Sequence, residues 1–251
     1  MHETVFFNQQ FITNFDTKIS AISSAALYGK SIFTTIAIKE KKAFLWEKHR
    51  RRLNDNAAKI GVDLSDFSEV FLIDALDKII EKNKIETARA RITFFDERAS
   101  NIWNFETEKK TSILITTADQ RKLPENFRLT VSPFRINSAS PLAGVKSCNY
   151  LENILALEEA KNRGFDEAVR LNERGEIASA CMANIFWRKD GKLFTPSLET
   201  GCLAGTMREF VLENESEIEI KADLESLKNA DEIFLTSAGL GICKVSEFKP
   251  K

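Results

Sequence analysis

One lysine, one arginine and three runs of small residues are the parts of this sequence whose types and spacing could do chemistry. Lys146 stands in PLAGVKSCNYLENILA, residues 141–156. Proline, glycine and small residues precede it, and Leu151, Ile154, Leu155 and Ala160 follow at helical spacing. The simplest reading of such a lysine is a solvated side chain. Walls built from Ala143, Gly144 and Ser147 could instead desolvate it in part. That would lower the pKa of the amine and let it form a Schiff base.

HRRRL, residues 49–53, packs three arginines into one helical turn, and they cannot all point the same way. One could clamp an anion through two parallel hydrogen bonds while the others stay in solvent. ETGCLAGTMREFVLE, residues 199–213, runs from a glycine-bounded turn straight into a helix. The first amides of a helix have no internal partner and suit a phosphate, although a plain tight turn would explain the same glycines. TSAGLG, residues 236–241, puts small residues after a strand, where backbone amides could approach an anion.

Composition removes other chemistries. The chain has two histidines, His2 and His49, so a histidine-dependent nucleophile relay or a multi-histidine metal site has too few members. Cys148, Cys181, Cys202 and Cys243 form no CxxC pair. The N-terminal MHETVFFNQQ lacks the basic and apolar parts of a secretion signal, so free thiols and a cytoplasmic location are expected. Lys and Arg number 36 against 37 Asp and Glu, a net charge of −1 that exerts no pull toward nucleic acid or an anionic membrane. No apolar run approaches the ~20 residues of a membrane span.

The elements that must position these groups mix strand and helix in 251 residues, enough for two small cores. SIFTTIAI (31–38) and KAFLWE (42–47) read as strands, with KEKK as the tip between them. KHRRRLNDNAAKIGV and FSEVFLIDALDKIIEKN show helical spacing, and ARARITFF and TSILITTA read as buried strands. ADQRKLPEN, residues 118–126, interrupts the pattern. The chain therefore divides into an N-terminal lobe over 1–117, a linker over 118–126 and a C-terminal lobe over 127–251 that carries Lys146. FRLTVSPFRI, EAVRLN, GEIASA and ANIFWRKDGKLFTP read as strands, residues 150–163 and 206–215 as helices, and ADEIFLTSAGLGICKV as a strand and tight loop. Without regular βαβ alternation this is an α+β chain in two lobes.

A Schiff-base lysine combined with several phosphate-binding features suggests pyridoxal phosphate. The chain resembles the fold-type IV pyridoxal-phosphate enzymes, the class IV aminotransferase family, over nearly its full length. YGKSIFTTIAI resembles YGDGxFET, HRRRL resembles HxxRL, ANIFWRKDGKLFTP resembles NxFxxxDGxxxTP, and GCLAGTMRE resembles GxLxGITR. KSCNYLENILALEEAKNRGFDEAVRLNERG resembles the stretch carrying the Schiff-base lysine. The resemblance implies a homodimer of two-lobed chains with pyridoxal 5'-phosphate in the interdomain cleft. Lys146 would be the catalytic lysine, and Arg52, Gly205, Thr206 and Met207 would hold the phosphate, with Ser237 and Ala238 nearby. Leu203 would lie under the ring, Ser179 would meet the pyridine nitrogen, and Tyr150 or its neighbour Asn149 would reach the phenolic oxygen. Tyr28 and Thr34 would face the substrate.

Set against the family, the chain departs most at GEIASACMANIFW, where Ser179 stands in place of a glutamate. That glutamate would keep the ring nitrogen protonated; a serine donates a hydrogen bond but stabilises no positive charge. Glu176 cannot substitute if it sits on a strand, where it points to the face opposite Ser179. A weaker electron sink disfavours amino transfer and is tolerated by an elimination that leaves an aromatic ring. Thr34 stands where the aminotransferases carry glutamate, and FTT resembles the lyase branch. The resemblance, greatest to the lyase branch, implies the conversion of 4-amino-4-deoxychorismate to 4-aminobenzoate and pyruvate, a step of folate synthesis. The alternatives are amino transfer on a branched-chain or D-amino acid, and a non-catalytic member that binds a ligand or partner. Arg98 and Arg135 are candidate partners for substrate carboxylates, although solvated arginines are the simpler reading.

Overall fold

The computed structural model describes residues 1–101, 104–105 and 110–250. Two compact units divide the chain: Met1–Gln120 with Val145–Asn149, and Arg121–Gly144 with Tyr150–Lys251. The first break lies inside the expected 118–126 linker. One expectation is corrected here. Residues 145–149 leave the second unit and return to the first, so Lys146 belongs with the N-terminal sheet rather than with the C-terminal lobe.

The first unit comprises β1 (Thr4–Phe7), β2 (Gln10–Thr13), α1 (Ser24–Tyr28), β3 (Ser31–Lys39), β4 (Lys42–Ala43), α2 (Trp46–Ile60), α3 (Glu69–Lys82), β5 (Ala88–Asp96), β6 (Ser100–Asn101), β7 (Asn104–Phe105) and β8 (Thr111–Ala118). Six of these strands make one antiparallel sheet in the order β2-β1-β8-β5-β3-β4. Alternate residues of β3, β5 and β8 (Ile32, Ile36, Ile92, Phe94, Ile113, Ile115) share a core with Leu53 and Ala57 of α2 and Leu72, Leu76 and Ile79 of α3. Period two in the strands meets period 3.6 in the helices, as burial of one face of each requires. The KEKK tip is a two-residue turn with Glu40 and Lys41 at φ 50° and 64°, a geometry whose twist matches the flanking strands. KAFLWE is not a continuous strand: β4 stops at Ala43 and α2 begins at Trp46, whose indole donates to Glu69 at 2.7 Å. The charged α2 sequence outlasts the strand propensity of its first aromatic residue.

The second unit comprises β9 (Arg128–Val131), α4 (Leu151–Asn162), β10 (Glu167–Leu171), β11 (Ile177–Ala180), β12 (Asn184–Lys189), β13 (Lys192–Pro196), α5 (Thr206–Asn214), β14 (Glu217–Ile220), α6 (Leu224–Lys228), β15 (Glu232–Ser237), β16 (Gly241–Lys244) and β17 (Glu247–Phe248). They form a four-stranded sheet, β11-β10-β9-β17, and a five-stranded sheet, β14-β13-β12-β15-β16. Asp190-Gly191, both at positive φ, turns β12 into β13. A shared core of Leu129, Val169, Ile177, Ile185, Trp187 and Leu235 joins the two sheets.

A second correction concerns α4. Its Leu151, Ile154 and Leu155 do not face the core; they are 67%, 40% and 46% exposed. Ala156 and Ala160, fully buried, pack instead against Ala168 and Cys181. Leu157, Phe165 and Met182 pack around this small-residue contact. Ala160→Leu should therefore overpack the contact and lower stability by ~1–3 kcal/mol, read as a fall in the urea midpoint at unchanged slope.

Candidate active site

Lys146 is held by β3. The Phe33 amide donates to the Lys146 carbonyl at 3.0 Å, and the Cys148 amide donates to the Ser31 carbonyl at 2.9 Å. Ser147, bridged to Ile32, is buried, so Lys146 and Cys148 project to the other side of this short extended segment. The Lys146 Nζ lies 4.5 Å from the centre of the Phe33 ring, and the Arg91 guanidinium lies 3.6 Å from the same ring. Desolvation first, then the charges of Arg52 and Arg91, bring the Lys146 pKa from 10.5 to about 7. Half of its amine is then neutral, and nucleophilic, near neutral pH. Cys148 lies 3.7 Å from Arg91 Nη2, and burial raises its thiol pKa.

The three arginines of α2 diverge as helical geometry demands. Arg50 donates to the Phe67 carbonyl at 2.9 Å, Arg51 is exposed, and Arg52 donates to Thr34 Oγ1 at 2.8 Å. Thr34 Oγ1 lies 2.7 Å from His49 Nδ1. Burial, with the charges of Arg52 and Lys146 behind it, lowers the His49 pKa to about 3. The imidazole is therefore neutral. Thr34, expected at the substrate, is fully buried, and its hydroxyl links His49 to Arg52. His49 and Arg52 share a helix face at i, i+3, a spacing visible in HRRRL. Phe33 and Arg91 carry no such signal.

Asn149 donates to the Gly29 carbonyl at 2.9 Å, tying the lysine segment to the end of α1. Gly29 is at φ +66°, and a Cβ there would stand 2.4 Å from Asn149 Oδ1, so this approach requires glycine. Tyr28, one residue earlier, is 40% exposed. Arg98 neither awaits a carboxylate nor sits in solvent: it binds buried Asp96 through Nε at 2.9 Å and Nη2 at 2.5 Å. Lys30 reaches the same carboxylate at 3.2 Å.

In the second unit, α5 opens at Thr206 with Gly205, which has no side chain to bond the first amides, as its cap. Asn184 Nδ2 donates to the Leu203 carbonyl at 2.8 Å, and a Cβ on Gly205 would stand 2.0 Å from Asn184 Oδ1. Asn184 thus pins a turn that only glycine can complete. Thr206 and Met207 are buried, while Leu203 is partly exposed. Ser237 and Ala238 are partly exposed at the end of β15, where the Leu240 amide donates to Ser237 Oγ at 3.1 Å. Tyr150 caps α4. Ser179 is 8% exposed on β11. Glu176 does not stand in for a missing glutamate: its Oε2 accepts from Asn172 at 2.7 Å and from Arg174 Nη2 at 2.8 Å. Arg135 donates to the Asn172 carbonyl at 3.0 Å. Glu167, which no sequence pattern marks, is fully buried and accepts from the amides of Ala168, Cys181 and Met182.

Among the described residues no cluster of histidine, cysteine and carboxylate could hold a metal ion, and all four cysteines are free. No helix there is long and apolar enough to cross a membrane. The chemistry present is a near-neutral amine among guanidinium groups, and a helix start capped by a glycine. Both suit an aldehyde that carries an anionic group. An amine-directed acylating reagent should modify Lys146 with a half-maximal rate near pH 7, ahead of the other lysines, as mass spectrometry of peptides would show. Arg52→Ala removes a repelling charge and should move that midpoint to higher pH.

The profile described as Amino-transferase class IV matches residues 31–248. The chain is 30% identical to the aminodeoxychorismate lyase of Bacillus subtilis over 247 residues, 95% of this chain and 84% of that one. It is 29% identical to a putative branched-chain-amino-acid aminotransferase of Methanocaldococcus jannaschii, over 97% of this chain and 87% of the relative. The crystal structure of the Escherichia coli branched-chain amino acid aminotransferase superposes with a TM-score of 0.91 at 26% identity, covering 98% of this chain and 86% of the other.

Proposed function

The chain belongs to the amino-transferase class IV family, and from that premise we propose that it is a pyridoxal-phosphate enzyme acting at the amino-bearing carbon of a small carboxylic acid. The observation that carries this reading is the Lys146 amine, brought to a pKa of about 7 beside Arg52 and Arg91. Pyridoxal phosphate supplies an aldehyde that condenses with amines and a ring that draws electrons from the adjoining carbon. Lys146 would hold that aldehyde, and its amine, once free, would move the proton at the reacting carbon. Arg52, set by Thr34 and His49, would hold the phosphate, as would the amides of Thr206 and Met207 with Ser237 and Ala238. Leu203 would support the ring, Tyr150 would meet its phenolic oxygen and Ser179 its nitrogen, and Tyr28 would face the substrate.

Amino transfer between a branched-chain amino acid and a 2-oxo acid is the finer reading that the aminotransferase relatives support, with a D-amino acid as the other donor class. A second reading, release of pyruvate and 4-aminobenzoate from 4-amino-4-deoxychorismate, is supported by the Bacillus subtilis relative and by Ser179. Assembly as a homodimer in the cytoplasm belongs to the same proposal. The exposed Leu151, Ile154 and Leu155 ridge is the kind of surface a second copy covers.

Two assays with added pyridoxal phosphate separate these readings. Glutamate formed from amino donors and 2-oxoglutarate identifies amino transfer, and pyruvate formed from aminodeoxychorismate identifies the lyase. Lys146→Ala should abolish whichever product the wild type makes, and a variant of undiminished rate would overturn the assignment. Failure of the wild type to make either product would favour a non-catalytic member.

A further inference from the structure

The strand opposite Ser179 carries a buried charge. β10 and β11 pair antiparallel with Val169 opposite Ala180 and Arg170 opposite Ser179. Residues directly opposed on such a pair share a face. Two residues along, Ala168 and Cys181 pack on α4, whereas Val169 and Ala180 belong to the core on the other side. Arg170 and Ser179 therefore lie side by side on the face that α4 covers. The Arg170 side chain is 2% exposed, and it is the largest of the fully buried side chains.

Its partners are mostly neutral. Nη2 donates to the Arg135 carbonyl at 2.9 Å, Nε to the Phe134 carbonyl at 3.4 Å, and Nη1 to Asn153 Oδ1 at 3.3 Å. The one carboxylate in reach, Glu152 at 3.4 Å, is 79% exposed and so largely screened by water. Glu167, on the same strand, turns its oxygens to three backbone amides. Burial raises its pKa. At the Cys181 thiol, two residues from Ser179 on the same face, burial and then the charge of Glu167 raise the pKa, and the charge of Arg170 opposes them as the smallest influence.

We propose that Arg170 is a fixed cation behind Ser179 that keeps a ring nitrogen at Ser179 unprotonated. This assignment rests on the pyridoxal-phosphate reading above. Where a glutamate would hold a proton on the nitrogen, this chain presents a hydroxyl donor backed by a guanidinium. At separations of roughly 6–10 Å and an effective dielectric constant near 20, such a charge weakens proton binding by about tenfold to a hundredfold. Arg170 acts by its field, without touching the ring. The consequence is a poor electron sink, suited to chemistry in which the electron pair left on carbon is consumed at once by expulsion of a group. That moves the balance between the two readings toward elimination.

The test is the ¹⁵N chemical shift of the purified protein loaded with pyridoxal phosphate labelled at the ring nitrogen. Stoichiometric loading is first confirmed by absorbance. Wild type is expected to show the neutral-pyridine shift across pH 6–8. Arg170→Met should raise the apparent pKa of the nitrogen by about one to two units, while Arg170→Lys, which keeps the charge but loses the planar fork, should stay close to wild type. Ser179→Glu should convert the signal to the pyridinium form. A wild-type signal already in the pyridinium range would overturn the proposal, and so would Lys and Met variants shifted alike, since a purely structural arginine predicts that. Should the Met variant not fold, the wild-type signal and the Lys variant still decide. Failure to load any cofactor is read before the spectrum, and it overturns the pyridoxal-phosphate reading together with this one.

Discussion

An ammonium group at the end of a half-buried side chain, facing an aromatic ring it shares with one guanidinium and lying within the field of another, is costly to keep charged. The site depends on that cost. It leaves Lys146 half neutral near pH 7, when a solvated lysine would be neutral in less than one molecule in a thousand. The same shift is a linkage term in folding. Between pH 7 and 10.5 the unfolded chain binds more protons at this position than the folded one, so the contribution of Lys146 to stability improves as pH rises through that window.

β3 makes the arrangement possible by serving two faces at once. Ile32, Ile36 and Ile38 go into the core against α2, and Thr34, in the same row, meets His49 and Arg52. Phe33, in the alternate row, meets Lys146 and Arg91. A strand that carries hydrophobic ballast on the row that also orients Arg52 gives that arginine a rigid support. His49 is neutral down to about pH 3, so the support does not loosen as pH falls through the physiological range.

Much of this was legible in the sequence, because it rests on local rules. Alternation marked β3, β5 and β8; the i, i+3, i+4 pattern marked α2 and α3; the glycine-bounded turn before α5 was visible as a helix start. What escaped depended on contacts between distant segments. Nothing in PLAGVKSCNYLENILA shows that residues 145–149 pair with β3, more than a hundred residues earlier. The apolar stripe of α4 suggested a core face, but close approach to β10 selected Ala156 and Ala160 for that place and left the larger residues outside. Arg170 and Ser179 are nine residues apart in sequence and neighbours only through strand register, so the serine was noticed without the arginine behind it.

Covalent capture of an aldehyde by Lys146 is the step on which the proposed function rests. The most direct measurement is borohydride reduction of the protein loaded with pyridoxal phosphate, followed by peptide mapping. The account predicts the phosphopyridoxyl mass on the peptide containing Lys146 and on no other lysine. The mass appearing on a different lysine, or no mass at all after stoichiometric loading, would contradict it.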